Sequence, residues 1–209
     1  MITVAKDMET FLDLTKERAE QVDSEIADRE NDFRSMCFWN IHNRALMTQE
    51  IVSFYTRTWE MMDVPLNLEP EINERIVTVT RDMFVDTISS IEKAAKDCTN
   101  AYRTSRLKET SMRGRNYLYL RNIMAASYEL GYIDEDAFNE WEDILIMRNL
   151  VTHNNSVADR SRVFETGGLR ISMRPNRMMK GPSNTFVVLS SRATDLFYGW
   201  LDTVDGVFG

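Results

Sequence analysis

The chain reads as an all-α helical bundle with a small β-hairpin near its C-terminus, on three observations. Apolar residues recur at helical spacing over most of its 209 residues, the pattern of helices that each bury one face. Pro65 and Pro70, with Asn67 between them, interrupt that pattern and mark a loop. Two short stretches read as strands: 169–174, which alternates with period two, and the β-rich run 185–189.

The elements follow in order. Residues 4–35 carry Met8, Phe11, Leu12, Leu14, Ala19, Val22 and Ile26 as a broken apolar stripe among dense charges, which predicts one long amphipathic helix. A second helix is expected over 36–62, richer in aromatic residues (Phe38, Trp39, Phe54, Tyr55, Trp59). After the proline loop, 71–101 resumes helical spacing through Ile72, Ile76, Val79, Met83, Ile88 and Ile91. The basic stretch 103–116, with Ser105, Ser111 and Gly114, reads as a loop or a frayed helix start. Tyr117, Leu120, Met124 and Tyr128 fit one face of a further helix, which Gly131 can end in a left-handed cap. Asp134 is placed to cap the next helix, whose first turn holds carboxylates at the positive end of its dipole. Along it Phe138, Trp141, Leu145 and Arg148 fall on one stripe, so an arginine stands where an apolar residue is expected. A charge on such a face must be paired or used. These two stretches predict a hairpin over 169–189, closed by 175–184, with Arg170 and Arg174 on its solvent face. Residues 192–205 close the chain as a helix.

At this length one core is expected, with 1–65 as N-terminal amphipathic helices packing on a domain at 70–209. The composition, 43% hydrophobic and 28% charged, is that of a globular protein. No apolar run reaches membrane-spanning length, and the first residues lack a basic region followed by an apolar one, so a cytoplasmic protein is expected. Cys37 and Cys98 stand alone inside helices, with no CxxC and no His/Cys cluster, which points to buried thiols and to no metal site. No P-loop, GxGxxG or nucleophile elbow occurs, and no cofactor is implied.

Charge is unevenly spread. Residues 1–100 balance to −9 and residues 101–209 to +1. Within the second half, 103–121 holds Arg103, Arg106, Lys108, Arg113, Arg115 and Arg121 against Glu109, and 160–180 holds Arg160, Arg162, Arg170, Arg174, Arg177 and Lys180 against Glu165. Each is a solvated or ion-paired face, or a surface for a polyanion. Screening beyond about 8–10 Å makes local charge matter more than the net value.

Between these segments lies Arg148-Asn149-Leu150-Val151-Thr152-His153, which holds one of only 2 histidines. An imidazole titrates near neutrality, an arginine offers a planar fork to a phosphate, and an amide can orient either. The same dipeptide recurs at Arg115-Asn116 and Arg121-Asn122 without a histidine after it. His42, by contrast, sits in an aromatic helix and reads as structural.

Arg148, Asn149 and His153 resemble the ribonuclease signature of the HEPN superfamily: arginine, a polar residue, three to five residues, then histidine. They match it in its shortest spacing, and the resemblance spans about 70–209. It implies a four- or five-helix bundle that forms a homodimer with two such motifs facing one cleft. It also implies metal-independent endoribonuclease activity, often in toxin, defence or RNA-processing systems, with an antitoxin or regulatory partner in some. In toxins of this kind a tyrosine commonly stands two residues after the histidine, where this chain has Asn155. The hairpin is an addition to the general bundle.

The expected function is therefore RNA cleavage by 2′-OH attack, with Arg148, Asn149 and His153 catalytic and Arg113, Arg115, Arg121, Arg170 and Arg174 binding RNA. Two alternatives remain. One is a non-catalytic HEPN-like module that binds RNA, a nucleotide or a protein; the other is a helical adaptor that docks a protein through 4–62.

Overall fold

A computed structural model describes residues 2–26, 32–61, 69–101, 106–153, 157–159, 161–177, 179 and 181–208. Among these, seven helices and one hairpin follow in the order α1 (Ile2–Glu25), α2 (Phe33–Met61), α3 (Glu69–Ala101), α4 (Arg106–Met112), α5 (Leu120–Glu129), α6 (Glu135–His153), β1 (Arg162–Thr166), β2 (Leu169–Met173) and α7 (Thr185–Phe208). No helix among the described residues is long and apolar enough to cross a membrane.

Side-chain contacts fix how the helices run. Thr15 meets His42, and Asp23 accepts from both Ser35 and Trp39, so α1 and α2 are antiparallel. Arg44 pairs with Asp86 while Arg75 lies over Tyr55, which makes α2 and α3 antiparallel too. Asn184 binds Asp7 and Arg18 binds Asp195, so α7 runs parallel to α1, with Arg18 also over the Tyr198 ring. Phe84 of α3 meets Phe186 of α7. A continuous core runs through all of these elements, with Phe11, Phe38, Phe84, Trp141, Phe197 and Trp200 its largest fully buried members.

Several expectations are corrected. The helix expected over 4–35 ends at Glu25, and a new one starts at Phe33. Asp32 starts it, accepting the Arg34 amide on its carboxylate at 2.8 Å, an N-cap that helical spacing alone does not announce. Partial burial pushes the Asp32 carboxyl up, but hydrogen bonds from Arg34, the charge of that residue and the Ser35 amide outweigh it, leaving the group below the usual carboxylate range. The basic stretch after Ala101 contains the short helix α4. Tyr117 precedes α5 rather than sharing its buried face, which is built from Leu120, Ile123, Met124, Ala126 and Ser127.

The hairpin is the largest correction. Strand β2 lies where alternation placed it, but its partner is β1, before it in sequence, with Thr166 opposite Leu169. Gly167 and Gly168 turn the chain with φ of 59° and 75°, and a two-residue turn with both φ positive matches the strand twist. Residues 185–189 are the first turn of α7, where Phe186, Val187 and Leu189 are buried. A short continuous apolar run suits a buried strand and a buried helix equally; here Leu189, Ala193, Leu196, Phe197, Trp200 and Leu201 continue the helix. Two other readings hold: Asp134 caps α6 through the Ala137 amide at 2.8 Å, and Gly131 has φ of 77° after α5.

Replacing Ser127 by alanine strands the Trp200 indole N–H, which donates to the Ser127 hydroxyl at 2.8 Å inside the core. A loss of about 1–3 kcal/mol is expected in urea denaturation followed by tryptophan fluorescence. Asp32→Ala is expected to cost about 0.5–2 kcal/mol at pH 7. Because the folded-state pKa lies below the unfolded value, that difference is fully present above about pH 4 and shrinks as pH falls through the folded-state pKa. Denaturation at pH 7 and at pH 2.5 checks the sign.

Candidate functional site

Arg148, Asn149 and His153 occupy the last two turns of α6. The helix buries Trp141, Ile144, Leu145, Met147, Leu150 and Val151. Arg148 lies half-buried on that face, near the helix end, while Asn149, Thr152 and His153 are exposed. Five residues of α-helix turn through about 140° net and rise about 7.5 Å, so Arg148 and His153 do not share a face. Asn149 and His153, four apart, do. Arg148 crosses toward them: its Nη1 donates to the Asn149 Oδ1 at 3.2 Å. Asn149 is thus the link between the guanidinium and the histidine side of the helix. The Arg148 Nε is buried with no hydrogen-bond partner among the described residues. The His153 ring makes no hydrogen bond or ion pair with them either; the Thr152 hydroxyl ties the last turn to the Arg148 carbonyl at 2.9 Å.

A feature missed at the sequence level holds α6 in place. Its carboxylates Glu140, Glu142 and Asp143 each take an arginine from a different element. Glu140 binds Arg192 of α7 with both oxygens at 2.7 Å. Glu142 binds Arg121 of α5 at 2.8 and 2.5 Å. Asp143 binds Arg162 of β1 at 2.6 Å. The Glu142 hydrogen bonds push the Arg121 pKa further up, and those of Glu140 do the same for Arg192. The acidic run Glu140-Trp141-Glu142-Asp143 is the sequence signal of this arrangement, but its partners lie 19 to 52 residues away.

These pairs account for much of the basic surface. Of the five arginines expected to meet RNA, Arg121 is held by Glu142, Arg113 meets Glu129 at 3.1 Å, and Arg170 faces its cross-strand neighbour Glu165 at 3.5 Å. Among the described residues Arg115 reaches only the Ser111 carbonyl, at 3.4 Å. The Arg174 guanidinium, just past β2 and exposed, makes no hydrogen bond or ion pair among the described residues. Arg170 and Arg174 lie on the outer side of the hairpin, opposite buried Ile171 and Met173. Arg103, Arg160 and Lys180 lie outside the described residues.

A well-formed groove lies elsewhere. A groove of about 580 Å³ between α2 and α3 is lined by Phe33, Met36, Asn40, Arg44, Lys93 and Asp97 among others, and none of the motif residues borders it. The motif sits on open helix surface, where a polymer can lie but a small molecule would not be enclosed. His42 is structural: its Nδ1 lies 3.0 Å from the Thr15 hydroxyl, edge-on to Trp39. Cys37 and Cys98 are buried and in no disulfide, and burial pushes the Cys37 thiol far above its usual range, which removes it as a nucleophile. Among the described residues no three His, Cys, Asp or Glu side chains converge to hold a metal ion. No protein-family model, curated protein or solved structure matches the chain.

Arg121 is 64% exposed in its pair with Glu142. A double-mutant cycle of Arg121→Ala and Glu142→Ala is therefore expected to give a coupling of about 0.2–1 kcal/mol that weakens in 1 M salt. Urea denaturation of the four proteins checks it.

Proposed function

We propose that this protein is a HEPN-type, metal-independent endoribonuclease that acts in the cytoplasm as a homodimer. The observation that carries the reading is the Arg148-Asn149…His153 set on an exposed helix end, with Arg148 hydrogen-bonded to Asn149. In the reaction a ribose 2′-oxygen attacks the adjacent phosphorus and the bond to the 5′-oxygen breaks. The products are a 2′,3′-cyclic phosphate and a 5′-hydroxyl. His153 takes the 2′ proton or supplies one to the leaving oxygen, the work of a positioned imidazole. Arg148 binds the phosphate where negative charge grows, and Asn149 holds the guanidinium on the histidine side of the helix. One motif histidine per chain provides a base or an acid, and a second copy provides the other. A toxin, defence or RNA-processing system with an antitoxin or regulatory partner is the setting this chemistry serves.

A second reading has its own support. Arg113, Arg121, Arg162, Arg170 and Arg192 are already ion-paired, which withdraws those five cations from phosphate binding and suits a non-catalytic RNA-, nucleotide- or protein-binding module.

Purified protein incubated with mixed RNAs in excess EDTA decides between them. Wild-type protein is expected to leave cyclic phosphate ends, and His153→Ala to lose about 100-fold or more of the cleavage rate with its circular dichroism unchanged. Equal cleavage by His153→Ala overturns the mechanism. Binding without cleavage by either protein selects the second reading.

A further inference from the structure

The segment joining α4 to α5 carries two tyrosines that the proposed mechanism does not use. Tyr117 is 69% exposed and Tyr119 is 53% exposed, whereas Phe11, Phe38, Phe84, Trp141, Phe197 and Trp200 fill the core. Leu118 between them packs against that core. The inward leucine is thus flanked by two outward rings. Tyr119 has φ −120° and ψ 150°, and its carbonyl accepts the Asn122 and Ile123 amides at 2.9 and 3.1 Å, which anchors it at the start of α5. The ring centroids lie 6.4 Å apart with the planes tilted by 56°. That tilt prevents one flat group from being sandwiched between them; each ring offers its own face.

The surroundings are cationic rather than apolar. Lys96 holds its ammonium 5.5 Å from the Tyr119 ring centre while paired with Glu92 at 2.8 Å. Arg113, Arg115, Asn116 and Arg121 flank the tyrosines, all exposed, and the other apolar side chains of 113–121, Leu118 and Leu120, turn inward. Glu129 and Glu142 are each bound to an arginine. Exposed rings interleaved with guanidinium and ammonium groups suit bases strung on a phosphate backbone.

The platform also faces the right way. Tyr128 stacks on Phe138 at 4.9 Å and Arg121 binds Glu142, so α5 and α6 run antiparallel and the start of α5 points toward the helix end that bears Arg148 and His153. Glu142 and His153 are separated along α6 by about 16 Å, a distance a few unstacked nucleotides span.

We infer that Tyr117 and Tyr119 are a stacking platform for two unpaired bases, so that single-stranded RNA is the substrate class. This rests on the reading of the protein as RNA-binding. The test measures fluorescence anisotropy of labelled 15-nucleotide poly(U) and poly(A) and of a 15-base-pair RNA duplex in EDTA, in a His153→Ala background to prevent cleavage. Single strands are expected to bind more tightly than the duplex. Tyr117→Ala and Tyr119→Ala are each expected to weaken single-strand binding between about 5- and 100-fold, the range for loss of one stacked base, while Tyr→Phe at either position retains it. Single-strand binding unchanged in both alanine variants overturns the platform and leaves the RNA reading standing. Alanine variants that keep RNA binding but lose self-association reassign the tyrosines to a protein contact. Absence of binding to any of the three RNAs overturns the platform and the RNA reading together.

Discussion

Helix α6 is held in two ways, and the rest of the second half of the chain is arranged around that grip. It buries Trp141, Ile144, Leu145 and Met147 in the common core. Its carboxylates Glu140, Glu142 and Asp143, spread around the helix, bind arginines of α7, α5 and β1. The two kinds of contact contribute unequally. Burying each large apolar side chain is worth about 1.5–3 kcal/mol, while ion pairs at a surface are worth about 0–1 kcal/mol apiece. The apolar face therefore supplies stability, and the bidentate pairs, with their fixed fork geometry, set how the neighbours are oriented. A helix end held this way presents Arg148, Asn149 and His153 on a rigid element rather than on a loop.

The same pairs change how the charge distribution is understood. Two segments that carry strong local excess positive charge in sequence become, in space, partners of carboxylates from α5, α6 and β1. Those acids belong to the second half of the chain, not to the acidic first half. Among the described residues, what is left to interact with a polyanion includes Arg106, Arg115, Arg148, Arg174 and Arg177, so the cations of these segments are divided between ion pairs and open surface. Nonspecific affinity for nucleic acid grows with the phosphates neutralised, so each ion-paired arginine subtracts from it.

Local signals were readable and nonlocal ones were not. Asp134 and Gly131 announce their roles because a cap and a left-handed turn involve residues a few positions apart. The six-residue motif is legible for the same reason, although its spacing also dictates that arginine and histidine diverge around the helix, with Asn149 joining them. The hairpin was misplaced by one partner. Alternation identified β2, but the deciding signal was the Gly167-Gly168 turn, and the apolar run at 185–189 fitted a buried helix as well as a strand. The acceptors of Arg121, Arg162 and Arg192 lie tens of residues away, where periodicity carries no information. Tyr117 was grouped with a helix face because spacing cannot tell an inward ring from an outward one at a helix start.

The parallel seam between α1 and α7 sets an order of events during synthesis. Asp7 meets Asn184 and Arg18 meets Asp195, partners 177 residues apart in each case. α1 leaves the ribosome long before the helix that covers it, and α2 alone cannot cover the side that faces α7. Val4, Met8 and Phe11, fully buried in the finished fold, wait on a partial structure while most of the chain is made. At the 5–20 residues per second typical of translation, that interval is roughly 10–40 seconds. The nascent chain thus spends much of its synthesis with an apolar seam uncovered, a window in which chaperones or a binding partner can act before the bundle closes.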